Sequence, residues 1–446
     1  MTKQNIVLIV ITFISLHIFS QVRDYDETAL IFSQEKQNGT ARFLAMSGAY
    51  GAVGGDLSAV DVNPAGMAIF NDNAASISLN TNYNSNSNNF YNTTSKYKFS
   101  NLNFAQAGAL MIFETGNDTW NKFAVGVNTS VSNTFNNSVS IIGNNHISNE
   151  SFFLNPDPNA DLYNNVEYQE SNSFTYGDNT KTTFFVSSKI NDKFYLGLSI
   201  ISNYIDYGQE VHIDEVSKDV NDNTFHGRLN QYLDVYGYGI GFNVGMIAKP
   251  TKSLRLGLSY QTPSWYVLSE EFSENMGVYL SNADVNQPDN IDYIFDYNLR
   301  TPSKLTGSIA YIFDKKGLLS MDYTYKNYSN AKLSPTSEFE GEYHNNENIN
   351  NNYQAVNTIN VGGEYRLKIA SLRAGYHFEN SPYKDNKENV TGFSLGFGFK
   401  TGDLSKLDFS FNQLNDFEKS YFLNAPNSIN SANKTNKFTL TYSMIF

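Results

Sequence analysis

The chain has 446 residues, no cysteine and a net charge of −13, so disulfide bonds cannot supply its stability. No basic stripe balances the acidic charge, which argues against nucleic acid as a partner. Tyrosine and phenylalanine are abundant, at 30 and 33 residues, yet the mean hydropathy is negative. After residue 20, no segment reaches the roughly 18 to 20 consecutive apolar residues of a membrane-spanning helix. Many aromatic residues without such helices are typical of an outer-membrane β-barrel, whose rims carry aromatic girdles.

The first twenty residues have the pattern of an export signal. Lys3 precedes an apolar run over residues 6–19, and the small residue Ser20 stands directly before Gln21. This pattern predicts a cleaved signal peptide over residues 1–20 and therefore an exported chain. The alternative is an uncleaved membrane anchor, which the short apolar run disfavours.

A segment rich in small residues, 40–71, follows and resembles neither the signal nor a strand. Its glycines and alanines permit tight backbone turns, and Pro64 with Gly66 predicts a turn at its end. We therefore expect an N-terminal hatch, or plug, over residues 21–73, built of short helical and irregular segments. The candidate hatch residues are Asn63, Pro64, Ala65, Gly66, Gly48, Tyr50, Gly54, Gly55 and Asp56. A moving hinge and a fixed seat on the barrel are both compatible with this motif.

From residue 74 to the end, apolar and polar residues alternate with a period of two, as in Phe438, Leu440 and Tyr442 against Thr439 and Thr441. The alternation predicts an all-β fold over residues 74–446. The fourteen candidate strands are 74–86, 97–114, 119–133, 176–190, 192–207, 229–248, 251–272, 291–313, 317–331, 351–367, 369–382, 388–401, 405–419 and 434–446. A soluble β-sandwich would show the same period, so the period alone does not separate it from a barrel.

The links between these strands alternate in length. The links after the even-numbered strands are short, for example 250–251, 314–316 and 402–404. Most of the others are long and polar, namely 136–175, 208–229, 273–290, 333–350 and 423–435. This asymmetry with an even strand number favours an antiparallel transmembrane β-barrel with the hatch in its lumen. The asparagine-rich long links predict mobile surface segments, and Pro263 and Pro302 each predict a kink within one long strand.

Several inward-facing residues are candidates for contact with the hatch or a ligand. Gly237, Gly239, Gly241 and Gly245 would leave space for close packing of the hatch. Arg366, Arg373 and Lys368 could contact a substrate carboxylate, although such charges more often form structural ladders between strands.

Metal, cofactor and catalytic sites lack a signature in this sequence. The histidines of the mature chain are far apart, which predicts no metal or cofactor site; they are His146, His212, His226, His344 and His377. The chain has no Gly-x-Ser-x-Gly elbow and no His-Glu-x-x-His motif, so we do not expect an enzyme.

The hatch motif, the fourteen strands and the terminal Phe446 together resemble the FadL-like family of outer-membrane long-chain fatty-acid and hydrocarbon transporters. Some relatives in that family are labelled hemin receptors. The resemblance implies a hatch-filled barrel in the outer membrane that takes up hydrophobic molecules passively and releases them through a kink in the third strand. Two positions depart from the family: Val62 replaces an aromatic residue, and residues 123–130 lack the proline common at that kink, so the sequence does not support lateral exit.

The expected partners follow from this resemblance. They are a hydrophobic small molecule, the lipid and lipopolysaccharide of the outer membrane, and the barrel-assembly machinery through the last strand; the chain is expected to be a monomer. The alternative is a non-transport surface protein that binds hemin or serves as a scaffold for a secretion or adhesion assembly through its asparagine-rich loops.

Overall fold

The structure is a computed structural model that describes residues 25–446, apart from 91–92, 117–118, 144–164, 282–288, 315, 336–343, 386–387 and 421–428. The predicted signal peptide lies outside the described residues. In the described part of the chain, no helix is long and apolar enough to cross a membrane.

Fourteen antiparallel strands form one closed sheet, which confirms the predicted fold class and strand number. Four strands are interrupted and have two segments each. The strands are β1 (Ala74–Phe90), β2 (Thr93–Glu114), β3 (Trp120–Thr134 and Asn137–Gly143), β4 (Asn165–Ile190), β5 (Phe194–Lys218), β6 (Thr224–Ala248), β7 (Leu254–Gln261 and Trp265–Leu280), β8 (Asp289–Arg300 and Lys304–Phe313), β9 (Gly317–Asn327 and Lys332–Ser334), β10 (Ala355–Arg366), β11 (Ala370–Glu379), β12 (Val390–Lys400), β13 (Ser405–Ser420) and β14 (Ile429–Ile445). The last strand pairs with the first, from Ala74 opposite Ile445 onward, and this pairing closes the barrel.

The outer surface of the barrel carries an apolar band. On β5, Leu196, Leu198 and Ile200 are exposed, whereas Ile201 and Ile205 on the opposite face are buried inside. An exposed apolar face is what lipid accepts and what a soluble sandwich would hide. Aromatic rings lie near both ends of this band. The rings of Trp120 and Phe123 stack with their centroids 6.1 Å apart near the periplasmic end, where the links are short. The ring centroids of Tyr204 and Tyr238 lie 4.8 Å apart, toward the extracellular end.

The strands extend further on the extracellular side than the sequence indicated. Four predicted long links, 136–175, 208–229, 273–290 and 423–435, include several strand residues each, so their assignment as loops was wrong. Within the second of them, Val211 and Ile213 are buried inside, while Glu210 and Asp214 point outward. Above the lipid the outward face is polar, and this polarity hid the alternation in the sequence.

Both predicted proline kinks are confirmed, and they lie side by side. The chain leaves the strand conformation between the two segments of β7, at Pro263, and between those of β8, at Pro302. The amide of Thr301 donates to the carbonyl of Ser264 over 3.0 Å, and the amide of Ser264 donates to Thr301 Oγ1 over 2.9 Å. These bonds satisfy backbone groups that the kinks remove from the ladder. The neighbouring strand β9 is interrupted as well, by a 3₁₀ turn at Tyr328–Asn330.

The segment before β1 fills the lumen and has two parts. Its elements are helix α1 (Tyr25–Ser33), the short helix α2 (Ala41–Leu44) and 3₁₀ helices at Leu57–Asp61 and Pro64–Ile69. We call residues 25–38 the arm and residues 40–71 the seat. The arm places Leu30 and Phe32 in an apolar cluster with Tyr207 and Leu233 of the extracellular half. The seat lies nearer the periplasmic end, where it leads into β1.

Glycines of the barrel wall let the backbone of the seat lie directly on the strands. A Cβ atom at Gly245 would lie 2.0 Å from Asn63 Oδ1, and one at Gly197 would lie 2.3 Å from the amide nitrogen of Ala65. These separations are far below van der Waals contact. The expectation for the rest of the glycine run was wrong, because a Cβ at Gly237 or Gly239 would first meet residues of β7 rather than the hatch.

We predict that Gly245→Val destabilises the folded barrel by about 1–3 kcal/mol, because the added methyl groups displace Asn63 from the wall. The measurement is the thermal unfolding midpoint of the purified protein, followed by heat-modifiable mobility on gels. The matched control is Gly307→Val, because a Cβ at this outward-facing glycine meets nothing within 4 Å. Equal midpoints for the two variants would contradict close packing at Gly245.

Candidate functional site in the barrel lumen

The Asn63-Pro64 turn is fully engaged in hydrogen bonds. Asn63 caps the following 3₁₀ helix by accepting from the amide of Ala65 over 3.1 Å, and Pro64 occupies the first position of that helix. The Asn63 Nδ2 group donates to the carbonyls of Gly51, over 2.7 Å, and Met246, over 3.1 Å. Asn63 is 1% exposed. These bonds join two parts of the seat to β6, which is the geometry of an anchor; a hinge role for this turn remains a prediction.

The predicted glycines of the hatch bring two backbone segments together. Gly48, Gly54 and Gly55 have φ angles of +73°, +60° and +66°, a region that side chains other than glycine rarely adopt. A Cβ at Gly54 would lie 2.6 Å from the carbonyl oxygen of Gly66. The amide of Gly55 donates to that same carbonyl over 3.1 Å.

Asp56 and Tyr50 are internal supports of the seat. Asp56 Oδ1 accepts from the hydroxyl of Thr40 over 2.7 Å and from the amide of Ser58 over 3.0 Å. Burial raises the pKa of the Asp56 carboxyl. Tyr50 is fully buried, with its ring 5.4 Å from that of Phe43. Both residues therefore face the interior of the seat rather than open space.

Two of the cationic residues proposed as ligand contacts, Arg366 and Arg373, pair with wall carboxylates instead, and one of these carboxylates also holds the seat. Arg42 of the seat donates to Glu364 over 2.9 Å, Arg373 lies 2.7 Å from both Glu364 and Asp408, and Arg366 also contacts Glu364. Lys368 lies in the short link between β10 and β11. Arg366, Arg373 and Lys368 do not line the cavity described next. These ion pairs match the structural ladder between strands. Removing one partner would leave a buried charge unpaired, so the pairs stabilise the folded barrel.

A cavity of about 340 Å³ lies in the lumen along the arm. Its lining is amphipathic. Apolar side chains that line it include Leu30, Val131, Phe135, Tyr207, Tyr328 and Val356. Charged side chains that line it include Glu35, Lys181, Lys304, Lys326 and Lys437.

Three of these lysines converge on the arm. The Glu35 carboxylate lies 3.1 Å from Lys304 Nζ, 3.4 Å from Lys181 Nζ and 3.8 Å from Lys326 Nζ. Burial alone would raise the pKa of Glu35, but attraction to the three ammonium groups outweighs burial and holds the pKa well below its usual range. The sequence analysis missed this cluster. Strand parity could have placed Lys181 on the inward face, but no sequence signal relates it to Lys304, Lys326 or Glu35.

The third strand is kinked although it lacks a proline. Among the described residues, β3 pairs with β2 from Lys122, opposite Glu114, to Ser130, opposite Gln106. The pairing ends there. A bulge follows between Val131 and Asn133. There the arm supplies new partners, since the amide of Lys36 donates to the carbonyl of Ser132 over 2.7 Å and Asn38 Nδ2 donates to that of Val131 over 3.0 Å. The kink in β3 therefore forms without a proline, and the pairing of β3 with β2 ends beside the cavity.

An extracellular link folds down onto the arm. Helix α3 (Asn345–Asn352) lies within the predicted mobile link 333–350 and continues past it, and its Ile349 is fully buried in the same apolar cluster as Leu30. Asp26 accepts from Asn352 Nδ2 over 3.1 Å and from the Tyr353 hydroxyl over 3.5 Å. Burial raises the pKa of the Asp26 carboxyl. The expectation of a mobile surface segment was wrong for α3, which covers the arm.

The described histidines have separate polar partners. His212 contacts Asn230, His226 contacts Asp214, and His377 contacts Asn360. His344 is exposed beside Glu347, and His146 lies outside the described residues. Within the part of the chain that the structure describes, no group of three or more histidine, aspartate or glutamate residues could hold a metal ion.

Solved structures with a similar fold include a FadL homologue and two toluene transporters. The chain is similar to a Pseudomonas aeruginosa FadL homologue, with 15% identity, a TM-score of 0.60 and coverage of 93% of this chain and 100% of that one. The toluene transporters TodX of Pseudomonas putida and TbuX of Ralstonia pickettii have 13% and 16% identity and TM-scores of 0.57 and 0.54; both comparisons cover 93% of this chain and 100% of the other. At these identities the likeness shows the fold alone. No curated protein matches the chain.

The family comparison is broader. Residues 28–445 match the model of a family described as outer membrane protein transport protein (OMPP1/FadL/TodX). The match includes most of the arm, the whole seat and every strand of the barrel. The chain therefore belongs to this family of outer-membrane transport proteins.

Proposed function

We propose that the protein takes up hydrophobic small molecules passively, such as long-chain fatty acids or aromatic hydrocarbons, through the hatch-filled barrel. The observation that carries this proposal is the luminal cavity. It runs from the apolar surroundings of the arm, at Leu30 and Tyr207, to the kinked part of β3 at Val131 and Phe135. One connected space thus borders both the apolar cluster of the extracellular half and the part of β3 where its pairing with β2 has ended.

The proposed path has an entrance, a chamber and a side exit. Helix α3 and the arm cover the extracellular end, so a ligand enters when their contact at Asp26 opens. The cavity then holds the ligand. Exit between β2 and β3 is supported by the end of their pairing at Gln106 and Ser130. An apolar molecule leaving there passes directly into lipid and avoids the periplasmic water.

In this proposal the arm moves and the seat does not. The seat is held by the bonds of Asn63, the ion pair of Arg42 with Glu364 and direct backbone contact with wall glycines. The arm borders the cavity, and its contacts with the wall include the apolar cluster, the bond of the Lys36 amide to Ser132 and the partly exposed ion pairs of Glu35. A ligand in the cavity can replace apolar contacts and exposed ion pairs, so we expect the arm to open at lower cost in free energy than the seat.

The remaining features of the proposal follow the sequence analysis. Residues 1–20 are a cleaved signal peptide, residues 21–73 form the hatch and residues 74–446 form the barrel. The protein is a monomer without enzymatic activity, surrounded by lipid and lipopolysaccharide. The barrel-assembly machinery inserts it through β14.

The direct test is uptake by cells that lack their own hydrophobic-compound transporter. We expect surface expression of this protein to increase uptake of radiolabelled oleate or toluene several-fold over the empty vector. We expect no matching increase for a sugar of similar mass, because the hatch fills the lumen. Folded protein at the surface with no gain for either hydrophobic compound would contradict transport and favour the binding or scaffold alternative.

A second test separates motion of the arm from motion of the whole hatch, using the absence of native cysteines. A disulfide in Asp26→Cys/Asn352→Cys joins the arm to α3, and we expect it to abolish uptake until a reductant is added. The matched control, Ser47→Cys/Ser394→Cys, joins the seat to β12, where the two hydroxyls lie 2.7 Å apart. We expect this disulfide to leave uptake unchanged; loss of uptake with the control disulfide would show that the seat must move.

A further inference from the structure

The lysine cluster around Glu35 is unlike the other ion pairs of the hatch. Its ammonium groups come from three different strands: Lys181 from β4, Lys304 from β8 and Lys326 from β9. A second carboxylate, that of Asp61 in the seat, lies 3.6 Å from Lys181 Nζ. Three wall lysines therefore face two hatch carboxylates, and a wall carboxylate, Glu379, lines the same cavity.

Glu35 can be reached from the cavity. Its side chain is 27% exposed, whereas the side chain of Glu364, which holds the seat, is 1% exposed. Glu35 also lies in the irregular stretch between α1 and α2, where helical bonds do not fix its backbone. Of its lysine contacts, the one to Lys304 is within ordinary hydrogen-bond length, and the others are 3.4 Å and 3.8 Å. Glu35 is thus an ionised carboxylate in a site that a small molecule can approach.

Departure of Glu35 alone would be costly, because it would leave a group of partly buried ammonium groups with too little negative charge. A molecule with its own anionic head would restore the balance. The same cavity offers Leu30, Phe135 and Tyr328 as an apolar lining for the rest of that molecule. An amphiphile with an anionic head and an apolar tail matches both parts.

We propose that Glu35 is a tethered internal counter-ion that occupies a head-group site formed by Lys181, Lys304 and Lys326, and that an anionic amphiphile must displace it to bind there. This inference rests on the proposed function and adds a specificity-determining residue to it. A neutral hydrophobic ligand does not compete with Glu35. Glu35 therefore lowers the affinity for anionic ligands relative to neutral ligands of the same shape, and its displacement frees the arm.

The test compares an acid with its neutral ester. The probes are 11-(dansylamino)undecanoic acid and its methyl ester, titrated by fluorescence into the full mature protein in non-ionic detergent. We expect Glu35→Gln to tighten binding of the acid by about tenfold, equivalent to about 1.4 kcal/mol. We expect binding of the ester to stay within about twofold. Adding Lys304→Met to Glu35→Gln should remove the gain for the acid, because the gain depends on an unpaired lysine.

The control is Asp192→Asn, which removes the same charge from a lysine-paired carboxylate at the periplasmic rim. It should change neither titration. Unchanged or weaker binding of the acid to folded Glu35→Gln, with normal binding of the ester, would overturn the inference and leave the proposed function standing. Failure of both probes to bind the folded wild-type protein would overturn the proposed function and this inference together.

A second measurement does not depend on substituting Glu35. A nitroxide label at Gln34→Cys reports motion of the arm in an otherwise cysteine-free chain. We expect dodecanoate to narrow the electron paramagnetic resonance spectrum of the label, and dodecanol at equal occupancy to change it less. Equal narrowing by both compounds would overturn the displacement of Glu35 by an anionic head.

Discussion

Closure of the sheet is the constraint on which the rest of the structure depends. In lipid, each backbone amide and carbonyl must find a partner within the protein, so the last strand has to pair with the first. Fourteen strands closed in this way enclose a lumen that would leak unless something filled it. The hatch fills it, and the wall accommodates the hatch through glycines such as Gly245 and Gly197, where side chains would keep the two backbones apart.

The proposed function divides the filled lumen into a fixed part and a displaceable part. The seat exchanges short, buried bonds with the wall, for example between Arg42 and Glu364. The arm lies beside a cavity and is held by an apolar cluster, by α3 at Asp26 and by the lysines around Glu35. Each of these contacts is of a kind that a hydrophobic or amphipathic ligand can replace. In the proposed function, this difference lets a small molecule pass through a plugged barrel.

Much of the fold could be predicted from the sequence because the lipid-facing strands alternate apolar and polar residues, as from Phe438 to Phe446. The extracellular extension of β5 could not be predicted, because its outward face meets water and is polar. The kink of β3 depends on a bulge and on bonds from Lys36 rather than on proline. The convergence of Lys181, Lys304 and Lys326 depends on strand register, which period alone does not determine. Glu35 offered no signal, because its partners are far away in sequence.

The central claim is that the seat stays in place while the arm is displaced. Hydrogen–deuterium exchange of the detergent-solubilised protein, with and without saturating oleate, tests this claim most directly. We expect amides of residues 44–63 to stay protected in both conditions, and amides of residues 29–38 to exchange faster when the ligand is present. Exchange that rises together in both segments, or in neither, would contradict the division of the hatch into a fixed seat and a displaceable arm.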